Sequence, residues 1–103
     1  MDREYIVTDI AEGSFSKNNK LKTVTVGTNI KTIGKNAFAG DKKLKSITIK
    51  STKVKSIGKG AFKNINKKAT IYVPKSLSKK QLTKYKKMIK NAGVPKTVKI
   101  KKK

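Results

Sequence analysis

An apolar pattern recurs along this chain at an offset that no single helix or hairpin explains. Leu21, Val24, Val26, Ile30, Ile33, Gly34, Ala37 and Phe38 return as Leu44, Ile47, Ile49, Val54, Ile57, Gly58, Ala61 and Phe62. The offset is 23 residues for the first three positions and 24 for the rest. A unit that short cannot bury its own apolar face, so it must bury it against the next unit, as the coils of a solenoid do. The period therefore predicts a β-rich solenoid.

Each unit reads alike. Leu21–Val26 and Leu44–Ile49 contain a short polar–apolar alternation rich in Thr and branched side chains, the pattern of a half-buried strand. Gly27-Thr-Asn is a turn. Ile30–Ile33 is a second extended piece ended by Gly34, and Lys35–Phe38 is long enough only for one helical or 3₁₀ turn. Ile71 and Val73 continue the strands 24 residues after Ile47 and Ile49. Three ladders are predicted: Val24–Ile47–Ile71, Val26–Ile49–Val73 and Phe15–Phe38–Phe62. Upstream, Ile10, Ala11, Ser14 and Phe15 lie 23 residues before Ile33, Gly34, Ala37 and Phe38, and Val7 aligns with Ile30. On that alignment the first coil lacks its leading strand apart from a remnant at Met1–Tyr5, as expected of a piece cut from a longer array.

Pro74 ends the last repeat strand, since it has no N–H to give a ladder. Ser78 and Gln81 then form a capping-box pair, and Leu82, Tyr85, Met88, Ile89 and Ala92 follow at helical spacing up to Gly93 and Pro95. The spacing predicts an amphipathic helix over 79–92 that covers the open end of the solenoid, and a closing strand over 97–101 with a frayed Lys101–Lys103 tail. Two units result: residues 1–74 as the solenoid and 75–103 as a helix–strand cap.

Charge narrows the functional classes. The chain carries 28 basic and 5 acidic residues, and 27 of the 28 are Lys. All five acids lie in the first 41 residues, and residues 42–103 hold 22 Lys and no acid. There is no Cys, His or Trp, which removes disulfides and the ordinary zinc site. No run reads as a membrane span, and no cofactor motif is present. Gly27, Gly34, Gly40, Gly58 and Gly60 follow the repeat's turns and do not compose a phosphate-cradling loop. Asp9 and Glu12 share a helical face, but a carboxylate pair alone is weak ground for acid–base chemistry. The reading is non-enzymatic.

The repeat register stacks lysines into columns: Lys20, Lys43 and Lys67; Lys22 and Lys45; Lys31 and Lys55; Lys35 and Lys59. Like charges on adjacent strands repel unless solvent or an anion screens them. The columns are candidate anion-binding residues for a cell-wall polymer, glycan or nucleic acid; the plainer alternative is a solvated face that keeps the protein soluble. Lys in place of Arg favours diffuse attraction over base reading, and non-specific nucleic-acid binding in vitro is expected of such a charge. Thr25, Thr48 and Tyr72 form a second candidate, a contact column expected on the solvent face; cross-strand packing is its plainer alternative. Tyr85 reads as cap packing.

The stretches Ile30-Lys-Thr-Ile-Gly-Lys-Asn-Ala-Phe38 and Val54-Lys-Ser-Ile-Gly-Lys-Gly-Ala-Phe62 resemble the BspA-type leucine-rich repeat family, over roughly residues 7–73. The resemblance implies a modular protein displayed on the bacterial cell surface or secreted, with upstream repeats and no catalytic motif. It departs at Asp41 and Ile65, where several members have Cys. What it implies of function is adhesion or protein–protein interaction with an unknown protein partner. Electrostatic binding of an anionic polymer and a purely structural terminal cap stand as alternatives.

Overall fold

The computed structural model describes residues 4–7, 13, 16, 17 and 20–103. Strands β1 (Glu4–Val7), β2 (Thr23–Val26), β4 (Ser46–Ile49), β6 (Thr70–Val73) and β7 (Lys99–Lys102) form one parallel five-stranded sheet in the order β1-β2-β4-β6-β7. The two-residue strands β3 (Thr32–Ile33) and β5 (Ser56–Ile57) pair in a second parallel sheet, and helix α1 spans Lys79–Asn91. Every strand pair is parallel because every coil passes in the same direction, as a solenoid requires.

The ladders stand in register. Val24, Ile47, Ile71 and Ile100 pair in sequence across the main sheet, and Val26 pairs with Ile49 while Val73 is buried in the next strand. Phe38 and Phe62 stack with centroids 5.8 Å apart and planes within 4° of parallel, both fully buried. Such offset aromatic pairs contribute beyond their buried area. The single-turn segments are turns, closed by bonds from Ala37 N–H to Gly34 O, Ala39 N–H to Asn36 O and Asp41 N–H to Phe38 O. A third ladder joins successive turns: the N–H groups of Asn36, Phe38 and Gly40 donate to the carbonyls of Lys59, Ala61 and Lys63 at 2.8–3.1 Å.

Two features of the turn explain its residue choice. Gly13, Asn36 and Gly60 occupy the same place in three coils and all have positive φ, which Gly and Asn tolerate best. Gly58 is constrained by space instead. A Cβ there would lie under 3.0 Å from Lys35 N, Lys35 Cα and Gly34 C, all backbone atoms of the preceding coil.

The first coil differs from expectation. Glu4–Val7 is a complete strand, and Val7 pairs with Val26, so it takes the main-sheet position and not that of Ile30. The turn keeps the 23-residue offset, since Gly13 N–H donates to Lys35 O as Asn36 N–H does to Lys59 O. The connection between strand and turn is therefore four residues shorter than in the second coil: Val7 to Gly13 against Val26 to Asn36. Backbone pairing holds a strand in the sheet whatever the length of the loop behind it. Ile10, Ala11, Ser14, Phe15, Asp9, Glu12 and the Tyr5 side chain lie outside the described residues.

At the other end, α1 begins with a complete capping box. Ser78 Oγ accepts from Gln81 N–H at 3.2 Å, and Gln81 Oε1 accepts from Ser78 N–H at 3.0 Å. Ala92 caps its C-terminus, and Gly93 follows with φ +83°. The helix sits where the next coil's turn would be, with Ala92 O accepting from Phe62 N–H as Ala61 O does from Phe38 N–H. Leu77, Tyr85, Ile89 and Ala92 join the same core as the repeat ladders. The closing strand begins two residues later than predicted, and its tail is not frayed. Lys101 and Lys102 pair with Tyr72 and Val73, and Lys103 N–H donates to Val73 O at 3.0 Å. Extended backbone beside β6 satisfies donors that a loose tail leaves to water. The exposed Lys99, Lys101 and Lys102 flank an outer strand, where charge discourages pairing with another chain.

Candidate interaction surfaces

Every lysine from Lys20 onward is exposed. The one acid in that span, Asp41, is fully buried at a coil corner, in the repeat position that Ile65 fills in the next coil. Residues 20–103 therefore present ammonium groups to solvent and no carboxylate side chain.

The fold divides the predicted lysine columns into two groups. Lys20, Lys22, Lys43, Lys45 and Lys67 lie at the corners where chain enters the main-sheet strands. Lys22, Lys43 and Lys45, with Thr23 and Asn66, line one shallow hollow; Lys42, Lys45, Asn64, Ile65, Asn66, Lys67 and Lys68 line a second. The two share Lys45 and Asn66, so they form one trough crossing three coils. Asn66 fixes its floor: Oδ1 accepts from Lys68 N–H at 2.8 Å and Nδ2 donates to Lys42 O at 3.1 Å, bridging adjacent coils. Lys31, Lys55, Lys35 and Lys59 belong to the other group, flanking the two-stranded sheet, where Lys55 N–H donates to Lys31 O at 2.7 Å. They line neither hollow.

The contact column is narrower than expected. Thr25 pairs with Ile6 of β1 and Thr48 of β4 and is 3% exposed, so it does not face solvent. Thr48 and Tyr72 pair in register and stay half-buried on the outer face. Thr25 and Thr48 border a hollow at the far end of the strands with Lys50, Lys75 and Lys103. Lys103 Nζ lies 4.5 Å from the centre of the Tyr72 ring, a cation–π contact. Lys103 was not among the predicted site residues. The repeat offset gave no signal for it: the register that pairs Lys101 with Tyr72, and sets Lys103 two residues on along the same strand side, is visible only in the structure.

Tyr85 is 2% exposed and belongs to the packing of the helix. Its hydroxyl donates to Ser51 O at 2.7 Å and accepts from Val54 N–H at 3.1 Å. Burial pushes the phenol's pKa above its usual value, only partly countered by the Val54 N–H bond. Ser51, fully buried, donates in turn to Ile30 O and accepts from Lys53 N–H. This polar thread fastens helix, third coil and second coil together.

Among the described residues, no group of three or more His, Cys, Asp or Glu side chains comes together, and no helix is long and apolar enough to cross a membrane. No curated protein and no solved structure matches the chain. The BspA type leucine rich repeat region matches residues 3–102 in six copies, a longer stretch than residues 7–73 that carry the motif. Coils, stacked turns and the helix–strand ending all fall within that match, and the chain belongs to the BspA-type leucine-rich repeat family, a non-catalytic repeat family typically involved in protein and surface interactions.

Proposed function

We propose that this chain is a scaffold of a cell-surface or secreted protein, acting in adhesion or protein–protein interaction through an exposed sheet face. The observation that supports the reading is Tyr72, half-exposed beside Thr48 on the outer side of a five-stranded parallel sheet and braced by Lys103. A Tyr held in place by its neighbours offers contact area at little entropic cost, which is why Tyr is enriched at interfaces. The test is binding of the purified chain to immobilised host matrix proteins and to whole bacterial cells. Tyr72→Ala is expected to weaken the strongest interaction about tenfold, as for an interface anchor. No micromolar binding to any of these, or undiminished binding by the variant, overturns the reading.

A second reading, electrostatic binding of an anionic polymer, is favoured by the lysine trough across three coils and by the lack of exposed carboxylates in residues 20–103.

A further inference from the structure

We infer that the coil-corner trough is a docking strip for an anionic polysaccharide, one bearing a carboxylate or sulfate on successive sugars. The inference rests on the second reading above and assigns it a site and a ligand class.

The geometry is periodic. Lys43 and Lys67 are equivalent residues of consecutive coils, and Lys22 and Lys45 are another such pair. The strands they precede are paired in parallel register, so each coil advances roughly 4.8 Å. That advance is of the same order as one pyranose unit of an extended polysaccharide. A chain laid across the coils meets a new cationic corner at about each sugar.

Backbone and Asn66 hydrogen bonds fix the corners. Lys45 N–H donates to Lys22 O at 2.9 Å and Thr70 N–H to Lys45 O at 2.8 Å, and Asn66 ties the Lys42 and Lys68 backbones. The spacing of the charges is thus set by the fold before any ligand arrives, which lowers the ordering cost of binding. Lys43, Lys45 and Lys67 on adjacent coils repel one another, and residues 20–103 expose no carboxylate side chain to offset this. A polymer carrying spaced anions relieves that repulsion along the whole strip.

The polar lining selects among polyanions. Thr23, Asn64 and Asn66 place a hydroxyl and amides among the ammonium groups, a mixture suited to sugar hydroxyls between anionic groups. Among the described residues no aromatic side chain lines either hollow to stack on a nucleobase, as single-stranded nucleic-acid sites require. Lys in place of Arg supplies point charges and not the planar fork suited to phosphate and base edges.

The test compares two triple variants that lose the same charge. Lys43→Gln/Lys45→Gln/Lys67→Gln removes three of the six lysines that line the trough, and Lys31→Gln/Lys55→Gln/Lys59→Gln removes three lysines outside it. Each is titrated at low salt with polygalacturonate, neutral dextran and oligo-dT, and circular dichroism verifies that each is folded. The trough triple is expected to bind polygalacturonate about tenfold more weakly, and the other triple less than about threefold. The wild-type affinity is expected to fall steeply with added salt, and dextran is expected not to bind. Equal losses in the two triples overturn the site while leaving general polyanion binding standing. Tighter binding of oligo-dT than of polygalacturonate overturns the ligand class. No low-salt binding to either polyanion overturns both this inference and the reading beneath it.

Discussion

Replacing Tyr85 with Phe isolates one oxygen atom at the joint between helix and repeats. The ring is 2% exposed, and Phe preserves its volume, so the packing contribution is unchanged. The variant loses the bond to Ser51 O and the bond from Val54 N–H, leaving a buried acceptor and a buried donor without that partner. A hydrogen bond contributes about 1 kcal/mol net, and an unsatisfied buried group costs roughly 1–3 kcal/mol. Because Ser51 O retains a second lone pair, the Val54 amide dominates, and a loss of about 2 kcal/mol is expected. In a domain of this size that lowers Tm by roughly 10 °C. Urea unfolding at neutral pH, followed by far-UV circular dichroism, reads the loss as a shift in midpoint at constant slope.

The same variant carries a pH signature. The folded phenol's pKa is raised above 10.0 by burial, so the unfolded chain ionises Tyr85 first. Its contribution is fully present below about pH 10 and is lost as pH rises through the higher folded value. The gap between wild type and Tyr85→Phe must therefore narrow above about pH 10. Coincident midpoints at neutral pH, or a gap unchanged into strong alkali, refute the reasoning.

Gly58→Ala is expected to cost about 1–3 kcal/mol or more, because its Cβ meets only backbone of the preceding coil and two coils must part to admit it; a urea midpoint within error of wild type contradicts the close approach. Ser78→Ala is expected to lose about 1 kcal/mol through the capping box, and Ser78→Asp to retain most of it; thermal melts of the two variants that coincide contradict the cap.

What could be read from residue order was what burial dictates. A fully buried rung inside the core favours apolar side chains, so Val24, Ile47 and Ile71 announced both the strands and their register. The helix was legible for a related reason: Ser78, Gln81 and Gly93 answer to orphan backbone groups at fixed places. β1 was misplaced because one offset was carried through the whole first coil, whereas its connecting segment is four residues shorter and only its turn keeps the repeat. Ser51 gave no sequence signal, since one small polar residue after a strand reads as surface until a tyrosine 34 positions away is brought to it.

The lysines pose the opposite case. Solvated side chains carry no constraint that sequence can reveal beyond their alignment, so all the columns looked equivalent. They differ through the backbone beneath them: Asn66 ties the corners before β4 and β6 beneath the trough, while Lys31, Lys35, Lys55 and Lys59 lie outside it. A partner that senses net charge treats both groups alike, and one that senses spacing does not. On a surface of nearly uniform residue type, selectivity has to come from the coil repeat that positions the charges, which is why substitutions matched for charge and differing only in place carry the discriminating information.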